Sequence, residues 1–191
     1  MYEPGTGPDM YQAQGKRHDF PDMTSNLCPQ CKGDYLRKHG FYRRDLRTLG
    51  FEGTILIRRY YCHVCKRTVS LLPSFCHPKR TYGLLPIFGV LAEFYIKMKT
   101  VCLTAMDYLA ASGVEISRQL LRHYRRRIER NLNGLIMAVT AVYALRAPPV
   151  TENANIKTKV KQLLSSIPSP QDGSLKIFEL TKTTYLTKQP N

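Results

Sequence analysis

Two copies of one short motif decide how this chain folds: Cys28-Pro29-Gln30-Cys31 and, after thirty intervening residues, Cys62-His63-Val64-Cys65. In each copy two thiols lie three positions apart, so a tight turn can direct both at one metal ion. A chain that folds back as a hairpin brings the second pair beside the first and closes a tetrahedral site. The spacing therefore predicts a structural Zn²⁺ site in a small zinc ribbon, with the ligands Cys28, Cys31, Cys62 and Cys65. His63 is a competing ligand, which we expect to face solvent or phosphate instead.

Other uses of paired cysteines fit the sequence less well. A redox dithiol needs a βαβ context and a helix N-terminus that lowers the thiol pKa, and neither pair is followed by a helical pattern. No secretory signal is visible, because residues 1–15 are polar and rich in Gly and Pro. A disulfide framework is therefore not expected, and the reducing cytoplasm is the expected location. The remaining cysteines, Cys76 and Cys102, are predicted to be buried thiols.

The chain is strongly basic. Its 191 residues include 29 Lys and Arg against 14 Asp and Glu, a formal net charge of +15, and its isoelectric point is about 9.7. Such a balance predicts a polyanionic partner, most often nucleic acid, although an acidic protein would also satisfy it. The longest apolar run, Leu84–Ile96, contains Glu93 and is too short to cross a membrane, so no membrane partner is expected.

Composition and periodicity divide the chain into four parts. Residues 1–25 contain several Gly and Pro residues and no hydrophobic period, which predicts a disordered leader. Residues 26–80 are predicted to form the zinc ribbon, and residues 81–146 an all-α segment. Residues 147–191 are predicted to be a linker and a poorly defined tail. The predicted fold class is α+β, with an antiparallel ribbon followed by helices.

Three strands are predicted within the ribbon. Aromatic and basic residues alternate in Tyr35–Arg44, and Gly40 is expected to break that strand. A turn at Leu49–Gly53 leads to the β-branched and aromatic return strand Thr54–Tyr61. The third strand, Thr68–Leu72, stops at a proline. A unit of this size lacks a large core, so the metal should supply most of its folding free energy.

The segment after the ribbon has a helical period and resembles a helix-turn-helix in its order. A first helix covers the apolar run from Leu84, and Thr100 or Thr104 is expected to cap a second. Gly113 marks a turn that needs a positive φ, and Ser117 caps a third, basic helix. A short helix, a Gly-containing turn and a basic helix predict a helix-turn-helix.

The sequence after the third helix leaves two alternatives open. The apolar run Leu132–Tyr143 either continues that helix or follows a break at Asn133-Gly134. Its apolar residues need a partner, which is either the first helix or a second copy of the chain in a homodimer. In the tail, Ile156–Ser165 is predicted to be a short basic helix and Leu175–Leu180 a strand.

Two basic sets are predicted to contact nucleic acid. Strand alternation in the ribbon should bring cations and aromatic rings to one face, and the third helix carries arginines at i, i+3 and i, i+4 spacing. The residues at the start of that helix are expected to lie nearest the base edges, where Arg suits guanine and Gln suits adenine. The alternative is a solvated helix face. The predicted contact residues are Arg43, Arg44, Arg58, Arg59, Ser117, Arg118, Gln119, Arg122, Arg125 and Arg126.

No catalytic site is expected. A metal-dependent transposase domain needs three carboxylates on spaced strands, and five of the seven Asp residues of this chain lie in the leader and the ribbon. Only residues 147–191 follow the helices, too few for an RNase-H-like domain. No Ser/His/Asp set, phosphate loop or nucleotide fingerprint is present.

Beyond these patterns, the ribbon resembles a known family. The resemblance rests on three motifs: Cys28-Pro29-x-Cys31, Lys38-His39-Gly40-x-Tyr42-x-Arg44 and Ile57-x-Arg59-Tyr60-Tyr61-Cys62-x-x-Cys65-x-Arg67-Thr68-x-Ser70-x-Leu72-Pro73. They are similar to the zinc ribbon at the start of many bacterial transposases. They are also similar to small bacterial proteins of unassigned function that carry this ribbon and helices without a catalytic domain. The resemblance implies zinc on the four cysteines and double-stranded DNA on the helix-turn-helix, at the ends of a mobile element.

The sequence thus predicts a zinc-dependent DNA-binding protein associated with a mobile element and without enzymatic activity of its own. Two alternatives remain open. One is the DNA-binding half of a split or truncated transposase, whose chemistry is in another polypeptide. The other is a protein–protein interaction module that docks on an acidic partner and dimerises through Leu132–Tyr143.

Overall fold

The fold is α+β, as predicted: an antiparallel three-stranded sheet is followed by helices. The computed structural model describes residues 1–145 and 149–181. Strands β1 (Leu36–Thr48), β2 (Phe51–Cys62) and β3 (Thr68–Leu71) lie in the order β1-β2-β3. Pairing of Thr48 with Phe51 makes a two-residue hairpin turn, shorter than the predicted one, with Gly50 at a φ of 70°. All three predicted strands are therefore present.

The predicted break at Gly40 is a bulge inside a continuous strand. The pairing register shifts between Lys38, opposite Tyr60, and Phe41, opposite Arg58. Gly40 has a φ of 83°, a conformation that side chains disfavour. Because Arg58 and Tyr60 are two positions apart on β2, the shift places Phe41 on the same sheet face as Lys38.

The prediction of a disordered leader is wrong. Helix α1 (Pro8–Gln14) lies on β2, and Tyr11 is fully buried there. The Tyr11 hydroxyl donates a hydrogen bond of 2.9 Å to the carbonyl of Leu56, and Gln12 donates one of 3.0 Å to the carbonyl of Thr54. Gly and Pro content predicted disorder, but three aromatic residues, Tyr2, Tyr11 and Phe20, give the leader an apolar surface to bury.

Four helices follow the sheet with the predicted order and caps. They are α2 (Leu84–Ile96), α3 (Val101–Ser112), α4 (Arg118–Arg130) and α5 (Leu132–Val142). The hydroxyl of Thr100 accepts from the N–H of Leu103, and that of Ser117 accepts from the N–H of Leu120. Gly113 ends α3 with a φ of 68°. The chain breaks at Asn131, two residues before the predicted alternative at Asn133-Gly134.

The tail was predicted to be poorly defined, and its described part instead completes the helical core. Helix α6 (Ile156–Ser165) matches the prediction, but α7 (Pro170–Thr181) replaces the predicted linker and strand. Ile177 of α7 is buried in the helical core because α7 packs on α5 and α2, a contact that local propensity does not reveal. The predicted boundary at 146–147 and residues 182–191 of the tail lie outside the described residues.

The apolar face of α5 finds its partner within the chain. It contacts α4, α6 and α7, and its inward residues are buried: Leu132, Leu135, Ala138 and Val139. These four residues are therefore not available to a second copy of the chain, whereas Met137 on the outer side of α5 is exposed. Dimerisation through Leu132–Tyr143 stays a prediction.

The ribbon and the helices have separate cores, which a tightly packed segment connects. The N–H of Arg47 donates to Thr81 and the N–H of Gly83 donates to Arg47, so residues 81–83 run beside the end of β1. A Cβ on Gly83 would lie 2.9 Å from both the Phe75 carbonyl and Thr48, so only glycine fits this contact. The close fit holds the start of α2 against the sheet.

The described helices differ from membrane spans in length and apolar character. Within residues 1–145 and 149–181, none of them has the length and apolar character that crossing a bilayer requires.

Candidate metal centre and nucleic-acid surface

The two cysteine pairs have the same local backbone geometry. The residue after each pair, Lys32 or Lys66, has a positive φ, 62° and 59° respectively. In each pair the N–H of the first cysteine donates to a carbonyl five residues ahead: Cys28 to Gly33 at 2.7 Å and Cys62 to Arg67 at 2.9 Å. Each pair therefore forms a similar knuckle that directs two sulfurs to one side.

The four sulfur atoms converge as the spacing predicted. All ligand atoms of Cys28, Cys31, Cys62 and Cys65 lie within 4.8 Å of one another. The Cys28 and Cys65 sulfurs are 3.8 Å apart, and those of Cys31 and Cys62 are 3.6 Å apart. A tetrahedral Zn²⁺ with Zn–S bonds of about 2.3 Å would hold its sulfurs about 3.8 Å apart. A disulfide requires about 2.05 Å, so these distances fit a shared metal ion and not a bond.

Backbone N–H groups favour the thiolate form that a metal needs. The N–H groups of Cys65 and Val64 lower the pKa of Cys62 to about 7, against the opposing effect of burial. The N–H of Gly33 donates to the Cys31 sulfur at 3.4 Å. At Cys65, by contrast, desolvation raises the pKa of the thiol to about 12. A metal centre at these residues is thus supported by donor type and distance.

The predicted competitor His63 is not part of the cluster. Its ring packs edge-on against Tyr61, with centroids 5.0 Å apart, and the metal-binding group found among the described residues consists of the four cysteines. Four thiolates fill a tetrahedral shell and leave no position for a substrate, so the centre is suited to holding structure and not to catalysis.

The two cysteines outside the centre differ from each other. Cys76 is buried, as predicted, and desolvation raises the pKa of its thiol to about 12. Cys102 is exposed on α3, so the prediction that it is a buried thiol is wrong. The helical spacing around it did not reveal that this face of α3 is uncovered.

The four predicted ribbon arginines do not form one surface. Arg58 lies over the ring of Phe41 at 4.7 Å, on the sheet face that the leader covers, whereas Arg59 lies 5.8 Å from the ring of Tyr42 on the opposite face. Arg43 is exposed. The guanidinium of Arg44 donates to the carbonyls of His77 and Arg80, at 2.6 and 2.5 Å. Arg44 is therefore occupied as an anchor for the segment after the sheet.

The predicted α4 residues divide into an outward and an inward group. Ser117, Arg118, Gln119, Arg122 and Arg126 are exposed. Arg125 turns inward, 4.5 Å from the ring of Phe94 and 3.5 Å from a carboxylate oxygen of Glu129. Glu129 also accepts a hydrogen bond of 2.6 Å from the Tyr95 hydroxyl. Arg125 therefore belongs to a packed network and not to the open surface.

The open residues of α4 form one stripe, which we call the arginine stripe: Arg118, Arg122, Arg126 and Arg130. Successive members are four residues apart, so their side chains lie along one side of the helix. Arg130 belongs to the basic set of the third helix that the sequence indicates, but it is not among the ten predicted contact residues; its i+4 spacing from Arg126 places it in the same row. Within the described part of the chain, no ion pair joins the stripe to an acid.

A groove borders the beginning of this stripe. Its volume is about 430 Å³, and α3 supplies one wall through apolar residues such as Met106 and Leu109. The other wall contains Ser117, Arg118 and Arg122. The predicted base-reading residues therefore lie together at the junction of α3 and α4.

Comparison with known proteins gives one family match, and that family has no assigned function. A family model described as a domain of unknown function (DUF6431) matches residues 28–105, from the first ligand cysteine into α3. No curated protein and no solved structure matches the chain. The matched region contains the metal centre and ends before α4.

Proposed function

We propose that this chain is a zinc-dependent DNA-binding protein whose α4 helix contacts double-stranded DNA. In this proposal the four thiolates hold Zn²⁺, which fixes the ribbon in position beside the helices. The zinc is structural, and the protein acts by binding.

The arginine stripe is the observation that carries the proposal. Four like charges on one helix face repel each other, and the first of them, Arg118, also lies at the positive end of the helix dipole. The internal ion pairs among the described residues leave these charges uncompensated. A row of DNA phosphates would neutralise them and release condensed counterions.

The shape of the α3–α4 unit supports a major-groove contact. Helix α4 has 13 residues, a length of about 20 Å, and a major groove about 12 Å wide admits one helix. Ser117, Arg118 and Gln119 stand at its N-terminal end, which is the end that a recognition helix directs at base edges. In this arrangement Arg118 and Gln119 read bases, while Arg122 and Arg126 contact phosphates. Arg43 and Arg59 remain candidate phosphate contacts on the ribbon.

The double variant Arg122→Ala with Arg126→Ala tests this proposal. Each lost phosphate contact should reduce the slope of log K against log salt by about 0.9, so the pair should reduce it by roughly 1.8. The measurement is fluorescence anisotropy with a labelled duplex over a range of salt concentrations.

A matched control removes the same charge elsewhere. Lys16 and Arg17 are exposed on the leader, and the variant Lys16→Ala with Arg17→Ala should retain most of the salt slope. If both double variants have the slope of the unmodified protein, or both lose the same amount, α4 is not a specific phosphate contact and the proposal fails.

We extend the proposal to the ends of a mobile element because of the ribbon motifs described above. Selection of bound sequences from a random duplex pool, with zinc-loaded protein, tests this extension. An enriched inverted repeat is the expected result. A pool without any enriched sequence would contradict this extension, because the protein would then bind duplex DNA without recognising a particular element end.

A further inference from the structure

One face of the sheet carries cations and aromatic rings near the metal centre. We call it the open face and define it by six residues: Arg37, His39, Tyr42, Arg59, Tyr61 and His63. It includes residues from both β1 and β2 and ends at the second cysteine knuckle.

Ring and cation contacts place these six residues together. The His39 and Tyr61 ring centroids are 5.5 Å apart, and those of Tyr61 and His63 are 5.0 Å apart. The guanidinium of Arg59 is 5.8 Å from the centre of the Tyr42 ring, and Arg37 pairs with Tyr61 across the strands. Arg59 and Tyr61 alternate along β2, so their backbones are about 6.6 Å apart on this face. His63 follows in the turn directly after the strand.

The open face is distinct from the covered parts of the sheet. The leader covers the opposite face, where Phe20 packs on Phe41 and the Tyr60 hydroxyl donates to the Pro21 carbonyl. On the same face as Tyr42, the half near the hairpin turn is covered by the segment that Arg44 anchors. Near the metal centre, by contrast, Arg37 and His39 are exposed and Tyr61 and His63 are half-exposed.

The charges of the open face are not compensated by the ribbon's own acids. The ion pairs of the described ribbon join Lys38 to Asp22 and Arg47 to Glu52. Neither pair includes Arg37 or Arg59. The face therefore combines free cations with aromatic rings that are held at fixed distances.

We propose that the open face binds a single strand of nucleic acid, with bases stacked on Tyr61, His39 and His63 and phosphates paired with Arg37 and Arg59. Stacking requires bases whose faces are uncovered, which a single strand offers and a duplex does not. Alternating rings and cations are the combination that single-strand binding surfaces use. This site goes beyond duplex binding by α4 and needs only the zinc-held ribbon.

The variant Tyr61→Trp gives a direct test, because the chain contains no tryptophan of its own. Its indole emission should be quenched, to saturation, by a twelve-residue oligothymidylate and by oligouridylate. Quenching by either strand supports the proposal. As a matched control, Met10→Trp puts the only indole on an exposed position of α1, where the same strands should leave the emission unchanged.

A second test removes two aromatic rings of the open face. The double variant His39→Ser with Tyr61→Thr should weaken oligothymidylate binding by roughly tenfold or more, because it removes two of the rings on which bases stack. The same variant should keep its zinc and its duplex affinity, whereas Arg122→Ala with Arg126→Ala should lose duplex affinity and keep the single strand. Tyr61→Phe, which preserves the ring, should bind like the unmodified protein.

Three results would overturn the proposal. They are an unquenched indole at position 61, an unchanged single-strand affinity in the zinc-loaded His39→Ser and Tyr61→Thr variant, and equal competition by polyglutamate, which has charge but no bases. None of them affects the duplex contact of α4, which the salt slope of its own variants decides separately.

Discussion

At the residue scale, arginines of similar sequence context have different roles. Arg44 and Arg125 are both half-buried, and both hold neighbouring parts of the chain: Arg44 through two carbonyls, and Arg125 through Phe94 and Glu129. Arg43 and Arg126, one position away in each case, are exposed. Successive side chains point to opposite faces of a strand and about 100° apart around a helix. Adjacent arginines can therefore have different roles, one as a structural contact and the other as an exposed cation.

Arg44→Lys should destabilise the protein although it keeps the charge. Both carbonyls accept from one terminal nitrogen of Arg44, which the shorter lysine side chain does not reach. Losing such charge-assisted bonds costs about 1.5–3 kcal/mol. Urea unfolding of the zinc-loaded protein measures the change in free energy. Arg43→Lys, at an exposed position, should have almost no effect. Equal stabilities of the two variants would show that the Arg44 contacts contribute nothing.

Cysteines also differ by position, and a pair of single variants separates their roles. The Cys62→Ser variant should no longer retain zinc after dialysis, and its hairpin should unfold, since a Cys₄ centre contributes folding free energy directly. Cys102→Ser, at an exposed position on α3, should keep one zinc per chain. Elemental analysis and amide NMR dispersion are the measurements. A well-dispersed, zinc-containing Cys62→Ser protein would contradict the assignment of the ligands.

At the element scale, α4 has a cap that serves both folding and the proposed binding. The Ser117 hydroxyl accepts from the N–H of Leu120 at 3.2 Å, and the same residue lines the groove beside Arg118. Leu121, Tyr124 and Ile128 bury the inner side of the helix, so the stripe is held outward by packing on the other side.

Two substitutions at Ser117 should separate those two functions. Ser117→Ala removes the cap and should cost about 1 kcal/mol of stability, whereas Ser117→Asp caps equally well. The carboxylate of the second variant would repel phosphate, so we expect normal thermal stability with weakened duplex binding. Thermal unfolding and anisotropy measure the two effects. Unchanged duplex affinity in the Ser117→Asp variant would place the N-terminus of α4 away from DNA.

At the scale of the whole molecule, two hydrophobic cores are joined by a short segment. The ribbon core contains Tyr11, Ile55 and Ile57 and includes Cys28 and Cys62, while the helical core extends from Leu84 to Ile177. The helical core has no metal-ligand group within the described residues. The two cores should therefore respond differently to removal of the metal.

Chelation at neutral pH should unfold the ribbon and leave the helical core folded. In our proposal the ribbon depends on metal-binding free energy, which is about 10–16 kcal/mol for structural zinc in small domains. Amide hydrogen exchange should show lost protection in β1 to β3 and retained protection in α2, α4 and α5. Simultaneous loss of protection in both regions would indicate one cooperative unit and contradict this view.

Prediction from sequence succeeded where the determining contacts are local. The Ser117 cap and the turn at Gly113 involve residues within one turn of each other, so the sequence pattern was sufficient. Tyr11 is buried by Phe75 and β2, more than forty residues away, which composition could not indicate. The strand predicted at Leu175–Leu180 was wrong for the same reason, since α5 and α2 determine its helical state.

By itself, the sequence determined the convergence of the four cysteines, the three strands and the helix caps, because spacing and side-chain chemistry specify these within a few residues. Only the tertiary structure decided which arginines are free, that the leader covers one sheet face, and that the tail fills the helical core. Those outcomes depend on which distant surfaces meet, since burial is gained from contacts between elements and not from the order of residues within one.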